Sequence, residues 1–204
     1  MSASYLAAIA TRRTRYALTD KSTIPDDKIE YILKECLLHT PYGWDSNCGR
    51  LVLMVGEKHR QLWSLIRESV TKGLEGGDHL ATVQKRIDGF HAAYGSVLFW
   101  DDQAILDGLI ESMPPKYTPV VPILAAKSAG MLQSTVWTAL AMEGMGASLQ
   151  HNAYDPAVAE QICATFGFPK TWRSTAIMPF GIPYAPPTDK KFASADERFI
   201  LVKD

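Results

Sequence analysis

The sequence predicts an α/β or α+β domain in three layers, and three observations predict it. Short, nearly continuous apolar runs at 51–55, 95–100 and 175–180 are separated by longer stretches whose apolar residues recur at helical spacing. Glycines and prolines punctuate the joints between them. At 204 residues, 47% of them hydrophobic, the chain can bury one core without disulfides or metals, whereas two domains would each be small. Residues 1–204 are therefore expected to fold as one domain.

Residues 4–11 read as a short opening helix. The second helix is clearer, because Ile29, Ile32, Leu33, Cys36 and Leu37 fall on one face. Pro25, Asp26 and Asp27 open it: a first turn tolerates Pro, and acids complement the positive end of the helix dipole. Thr40-Pro41 ends it, since a proline pushes the residue before it out of helical geometry. The run 51–55, closed by Gly56, has the apolar continuity of a strand covered on both faces. Helical spacing returns over 58–71 and 79–91, on either side of a loop from Gly73 to Gly77, and 95–100 is a second buried strand. A looser segment with Pro114, Pro115, Pro119 and Pro122 leads into a long helix running to Met145, which Gly144 and Gly146 stop. Residues 148–151 are short and extended. Asp155-Pro156 caps a further helix that ends at Gly167, and 175–180 is the last strand. The tail, about 182–204, carries Pro183, Pro186 and Pro187 and few core-forming runs, so it reads as an arm lying across another surface, most simply that of a partner subunit.

Charge and cysteine usage exclude several functions. Lys plus Arg (21) nearly balance Asp plus Glu (22), without the basic surplus that phosphate neutralisation requires, so no nucleic-acid partner is expected. Cys36, Cys48 and Cys163 are odd in number and far apart, which argues against disulfides and zinc and fits a reducing cytoplasm. Arg12, Arg13 and Arg15 follow a short mixed helix with no apolar run, so no signal peptide is read. The weakly charged stretch 120–142 is interrupted by Pro122, Lys127, Ser128 and Gln133 and reads as a buried helix, with no membrane contact implied. The five histidines include no pair at helical spacing for a metal, and no nucleophile elbow is present. Cys48 has no base or helix N-terminus beside it to lower its pKa and reads as a spectator thiol.

Four segments could carry chemistry. Arg12-Arg13-Thr14-Arg15-Tyr16 offers planar bidentate donors suited to a phosphate or a pyrimidine carbonyl edge, or else a solvated basic turn. The loop 40–50 places amides, hydroxyls, Tyr42 and Trp44 between a helix and a strand, suiting a polar heterocycle or a simple Asx-type turn. Residues 143–152 carry glycines that allow close backbone approach, yet they do not spell a dinucleotide fingerprint, and helix termination alone accounts for them. Lys190-Lys191 in the tail is a phosphate clamp or a solvated pair.

In this order and spacing, Arg-Arg-Thr-x-Tyr at 12–16, Thr-Pro-x-x-x-x-Ser at 40–46, Tyr-Gly-Ser-Val-Leu-Phe at 94–99, Gln-Ser-x-x-Trp-Thr-Ala-Leu at 133–140, Gly-x-Gly-Ala-x-Leu-Gln-His at 144–151 and Phe-Gly-x-Pro at 180–183 resemble the nitroreductase superfamily. The likeness is specifically to its short fungal and bacterial Frm2-like (CinD-like) subgroup, and it spans nearly the whole chain. The resemblance implies an α+β fold with a mainly antiparallel central sheet flanked by helices and a C-terminal arm exchanged across a homodimer. It also implies FMN at each subunit interface, with hydride passing from NAD(P)H to nitroaromatics, quinones or similar small electrophiles in ping-pong turnover, in the setting of oxidative stress. Residue by residue, Arg12, Arg13 and Thr14 match ligands of the phosphate and pyrimidine edge. Asn47 sits where an amide meets the isoalloxazine ring, Leu149 and Gln150 lie where the backbone faces N5, and Lys190 resembles the tail's phosphate lysine. Tyr16 takes a position at the pyrimidine end where wider nitroreductases place Arg or Lys. Asp45-Ser46-Asn47 replaces the subgroup's usual Asn-Ser-Gln, and a carboxylate there is unfavourable beside a reduced flavin unless it faces away. The resemblance assigns no catalytic acid or base, because the flavin carries the hard step. A rival reading is a flavin-binding regulatory or stress-response protein, acting in lipid signalling, whose reductase activity is incidental.

Overall fold

In the structure, a computed structural model describing residues 2–72 and 78–204, four strands form one sheet. They are β1 (Gly49–Val55), β2 (Gly95–Asp102), β3 (Gly146–Ala147) and β4 (Trp172–Gly181), in the order β1-β2-β4-β3. Every pairing is antiparallel, which settles the fold as α+β. The expected loop from Gly73 to Gly77 lies outside the described residues.

Alternation along β2 divides the core into two, as a strand's period of two requires. Val97 and Phe99 point to one face, where they meet Ile29, Ile32 and Leu33 of α2 (Asp26–His39), Leu106 of α5 (Gln103–Ser112) and Leu132, Val136 and Leu140 of α6 (Val121–Met142). Leu98 and Trp100 point to the other, against Leu62, Trp63 and Ile66 of α3 (Gly56–Thr71), Phe90 of α4 (Asp78–His91) and Ile162 of α7 (Pro156–Phe166). These are the three expected layers. The opening helix α1 (Ser2–Thr11) lies beside α6 and buries none of its residues. Among the described residues, no helix is long and apolar enough to cross a membrane.

The second buried set on the α3 side is polar and fully paired. His59 Nε2 faces the Phe90 carbonyl at 3.0 Å, so it carries the proton; Nδ1 then accepts from the Ser96 hydroxyl at 3.1 Å. Trp63 Nε1 donates to the same hydroxyl oxygen at 2.9 Å.

Several expectations are corrected. Helix α5 has no counterpart in the expected order of elements; its one buried residue, Leu106, leaves little periodic signal, while Asp102 caps it by accepting from the Ala104 amide at 3.3 Å. Strand β1 is not covered on both faces: it is the sheet edge, and only Gly49 and Met54 in it are buried. The long helix stops at Met142 rather than Met145, because the chain turns through Glu143 and Gly144 and drives Met145 into the core. The extended segment after it enters the ladder at Gly146–Ala147, with Gln150 adding an isolated bridge to Ile177. The caps of α7 are as read: Asp155 accepts from the Ala157 amide at 2.9 Å, and Gly167 ends the helix.

Candidate functional site

Residues 12–21 link α1 to α2 without a helix and dock along the β3 edge of the sheet. Thr14 forms a parallel bridge with Ala147, whose carbonyl accepts from the Arg15 amide at 3.0 Å. The first part of the tail lies antiparallel to this segment. The Thr19 amide donates to the Ile182 carbonyl at 2.9 Å, the Ile182 amide to Lys21 at 2.9 Å, and the Tyr184 amide to Ala17 at 3.2 Å. Gly181 makes the docking possible: a Cβ there would stand 2.2 Å from the Thr19 carbonyl oxygen. The tail as far as Thr188 is thus held by its own chain, and residues beyond it are exposed.

This docking gathers cations. The Arg12 guanidinium lies 4.4 Å from the centre of the Trp137 ring on α6, Arg13 donates to the Thr188 carbonyl, and Arg15 donates to the Ala185 carbonyl at 3.0 Å. Lys190 follows two residues after Thr188 and is exposed, its ammonium 4.9 Å from the Phe192 ring centre. Tyr16 turns instead onto α4, 6.4 Å from Phe90, and there the Arg86 guanidinium lies 5.4 Å from its ring. Arg86 had no sequence signal, since only the fold brings it beside a residue seventy positions earlier.

Beyond Ala147 the sheet edge is open. The Ser148 amide donates to Pro179 at 3.1 Å and the Gln150 amide to Ile177 at 2.8 Å. Alternation therefore directs the amides of Leu149 and His151 away from β4. The Gln150 side chain folds back onto Ser148 Oγ (2.8 Å) and the Leu149 carbonyl (3.0 Å), and Leu149 packs on the core. Next to these segments, Trp137 Nε1 and Asn152 Oδ1 are buried without a hydrogen-bond partner among the described residues. Arg12, Arg13, Thr14, Leu149 and Gln150 are thus brought to one edge, with Lys190 two residues beyond the tethered Thr188: guanidinium forks and outward-facing backbone amides, a donor set that suits a phosphate and the acceptor edge of a planar heterocycle.

Asn47 is not with them. It precedes β1, at the other edge of the sheet and near its opposite end, where Gly49 pairs with Asp101. Its loop leans on the first half of α6 through the Gly43 amide, which donates to Ser128 Oγ at 3.2 Å. Ser128 is nine residues before Trp137, about 14 Å along the helix. Within one chain the sequence-derived set therefore divides into an arginine edge and an amide corner. In that corner Asn47 Nδ2 donates to the Asp45 carbonyl at 2.8 Å, and Trp44, Asp45 and Asn47 all have left-handed backbones, with φ of 51°, 53° and 48°. Asp45 is exposed.

Beneath the corner Cys48 and Tyr42 surround a buried carboxyl, Asp101, that the sequence does not single out. The Cys48 thiol donates weakly to Asp101 Oδ1 at 3.8 Å, and burial pushes that thiol's pKa up, as suits a spectator. Burial also raises the Asp101 carboxyl to about 6, against a smaller lowering by Cys48 and Arg50. The Tyr42 hydroxyl is buried without a partner among the described residues. Asp101 opens on a cavity of about 290 Å³ bounded by Leu106, Ala129, Gln133, Tyr154 and Thr175.

Comparison with known proteins gives a consistent result. The model of the nitroreductase family matches residues 9–182. The chain is 31% identical over 195 residues to nitroreductase FRM2 of Saccharomyces cerevisiae, covering 93% of each. It superposes on nitroreductase CinD from Lactococcus lactis, solved in complex with chloramphenicol, with a TM-score of 0.86 and 32% identity over 98% of this chain and 100% of that one. A nitroreductase with bound FMN from Desulfitobacterium hafniense shares the fold at 16% identity, with a TM-score of 0.68 over 97% of each chain.

Proposed function

The chain belongs to the nitroreductase family, and from that premise we propose that it is an FMN-dependent enzyme passing reducing equivalents from NAD(P)H to nitroaromatics, quinones or similar flat electrophiles, as a homodimer. The observation that carries the proposal is the docking of the Arg12–Arg13–Thr14 segment and the tail at Thr188 beside Ala147, next to the outward-facing amides of Leu149 and His151. The residues present fit FMN: a phosphate needs charge-assisted forks, and the ring's pyrimidine edge needs fixed amide donors. When bound, FMN supplies the two-electron carrier of the reaction.

Arg13 and Lys190 hold the phosphate, Thr14 and Arg12 orient the pyrimidine end, and the amides facing out from Leu149 and His151 meet the ring's polar edge. Their positive charge favours the extra negative charge that reduction places on the cofactor. Asn47 cannot reach that group in its own chain, so it serves the site of the partner subunit. Apolar surface supports the pairing. Tyr5 and Leu6 of α1, Ile123 and Met142 of α6, and Phe199 to Val202 of the tail are all more than half exposed in the single chain. Side chains of that kind, gathered on two adjacent helices and an arm, mark an interface. The exposed end of the arm, Phe199 to Val202, is the part available for exchange.

Reconstitution tests this directly. The purified protein with FMN is expected to be yellow, to sediment as a dimer, and to bleach under anaerobic titration with NADH or NADPH. A colourless protein that never oxidises either nucleotide overturns the proposal. Arg13→Ala is expected to weaken FMN binding about 10- to 100-fold, the worth of one or two charge-assisted hydrogen bonds, with the dimer intact. Flavin retention on dilution reads it, and unchanged retention removes Arg13 from the site.

A further inference from the structure

The loop 42–47 is built to hold one aromatic ring in a costly position. Trp44 has φ 51° and ψ 32°, a left-handed conformation that a large side chain rarely adopts, and Asp45 and Asn47 repeat it. The inner side of the loop is over-determined. Gly43 donates to Ser128 Oγ and lies so close to α6 that a Cβ there would be 2.8 Å from Leu124 Cβ. The Asp45 amide donates to Tyr42 at 3.0 Å, the Ser46 amide to Gly43 at 3.2 Å, and Arg50 Nη1 to Asn47 at 2.8 Å. The outer side holds the indole, 43% exposed, the only exposed ring among the five tryptophans. Trp63 and Trp100 are almost wholly buried, and Trp100 and Trp172 stand among other rings, whereas Trp44 has no ring–ring or cation–ring contact among the described residues. Burial of the indole therefore does not account for the strain.

We infer that Trp44 is the platform on which the flat electron acceptor stacks, presented by this loop to the flavin bound at the partner subunit's arginine edge. The inference rests on the function proposed above and names the residue that sets its acceptor class. An electron-rich indole face pairs best with an electron-poor ring, so neutral nitroarenes and quinones are favoured over acceptors with no ring to stack. Asn47, three residues on, lies on the same rigid loop, so ring contact and amide contact arrive together.

The experiment compares nitrobenzene with ferricyanide, which takes electrons without stacking, using FMN-loaded dimer and NADH. In Trp44→Ala, the ratio of kcat/KM for nitrobenzene to that for ferricyanide is expected to fall about tenfold, carried by KM. Trp44→Phe restores most of it. Trp44→Gly separates a platform from a structural residue: it loses the ring like Ala but suits a left-handed backbone, so its melting temperature holds while the ratio still falls. An unaltered ratio in Trp44→Ala overturns the inference. So does a glycine variant that melts well below wild type with both acceptors equally impaired. Wild-type protein that transfers electrons to neither acceptor overturns the functional reading itself, and the inference with it.

Discussion

Two buried polar groups flank the same strand and differ in one respect. On the α3 face, His59, Ser96 and Trp63 satisfy one another and the Phe90 carbonyl, leaving no polar atom of the three side chains unpaired. On the α6 face, near the other end of β2, and among the described residues, Tyr42 has an orphan hydroxyl, Asp101 has a thiol as its one donor, and a cavity adjoins Asp101. The first is scaffold: it ties α3 and α4 to the sheet at the cost of ordinary desolvation. The second lies under a loop in which Trp44, Asp45 and Asn47 all have left-handed backbones. Backbone strain, an orphan hydroxyl and a cavity thus coincide at the loop corner, whereas on the α3 face the His59, Ser96 and Trp63 side chains satisfy one another.

The largest effect should come from breaking the closed group. Trp63 is wholly buried, and its ring fills the space between α3, Phe90 and β2. Trp63→Ala removes that ring and leaves a cavity and a Ser96 hydroxyl without its donor. A loss of about 3–5 kcal/mol in urea-measured stability is expected. A loss under 1 kcal/mol would show that this face is not the scaffold.

The two groups should also respond to pH with opposite sign. Burial lowers His59 from 6.5 to about 4, so the unfolded chain takes up a proton that the native one refuses; stability falls as pH drops from 6.5 towards 4. Burial raises Asp101 from 3.8 to about 6, so the native chain keeps a proton that the unfolded one releases; stability falls as pH rises from 3.8 towards 6. Each is worth about 3 kcal/mol at 1.36 kcal/mol per pKa unit. In the wild type they oppose each other between pH 4 and 6 and flatten the profile. Asp101→Asn removes one side: stability at pH 7 rises by up to about 3 kcal/mol, and a steep decline below pH 6.5 is uncovered. Denaturant melts from pH 4 to 7.5 read this, and a variant profile parallel to wild type would remove Asp101 as a titrating group.

The contrast also explains what was legible in the sequence. Helices α2 and α7 carried their signals locally, in periodic apolar residues and in caps such as Asp155 and Gly167, and the structure has both. Helix α5 did not, because one buried leucine in ten residues makes no period. Arg12, Arg13 and Thr14 were readable as donors, and their meeting with Ala147 and Thr188 followed from the family's order of motifs rather than from any local pattern. Asn47 was readable as an amide but its place was not, since sheet order puts it at the far corner. Asp101 stood unnoticed in an apolar strand, because its altered proton affinity is created by burial alone. Strain at Trp44 is equally invisible before folding: a tryptophan carries no sign of its backbone angle.

The smallest change is the most exacting test of the open group. The Tyr42 hydroxyl is desolvated and has no partner among the described residues, and burial chiefly, with Asp101 nearby, pushes its pKa up. Removing a buried polar atom that makes no hydrogen bond removes a penalty and no interaction, so Tyr42→Phe is expected to be neutral or stabilising, by about 0–1 kcal/mol. The corresponding removal on the closed side, Ser96→Ala, strips partners from His59 and Trp63 together and should cost about 1–3 kcal/mol. Chemical denaturation of the two variants side by side decides the matter. If Tyr42→Phe costs as much as Ser96→Ala, its hydroxyl has a partner in solution, and the α6 face is as closed as the other.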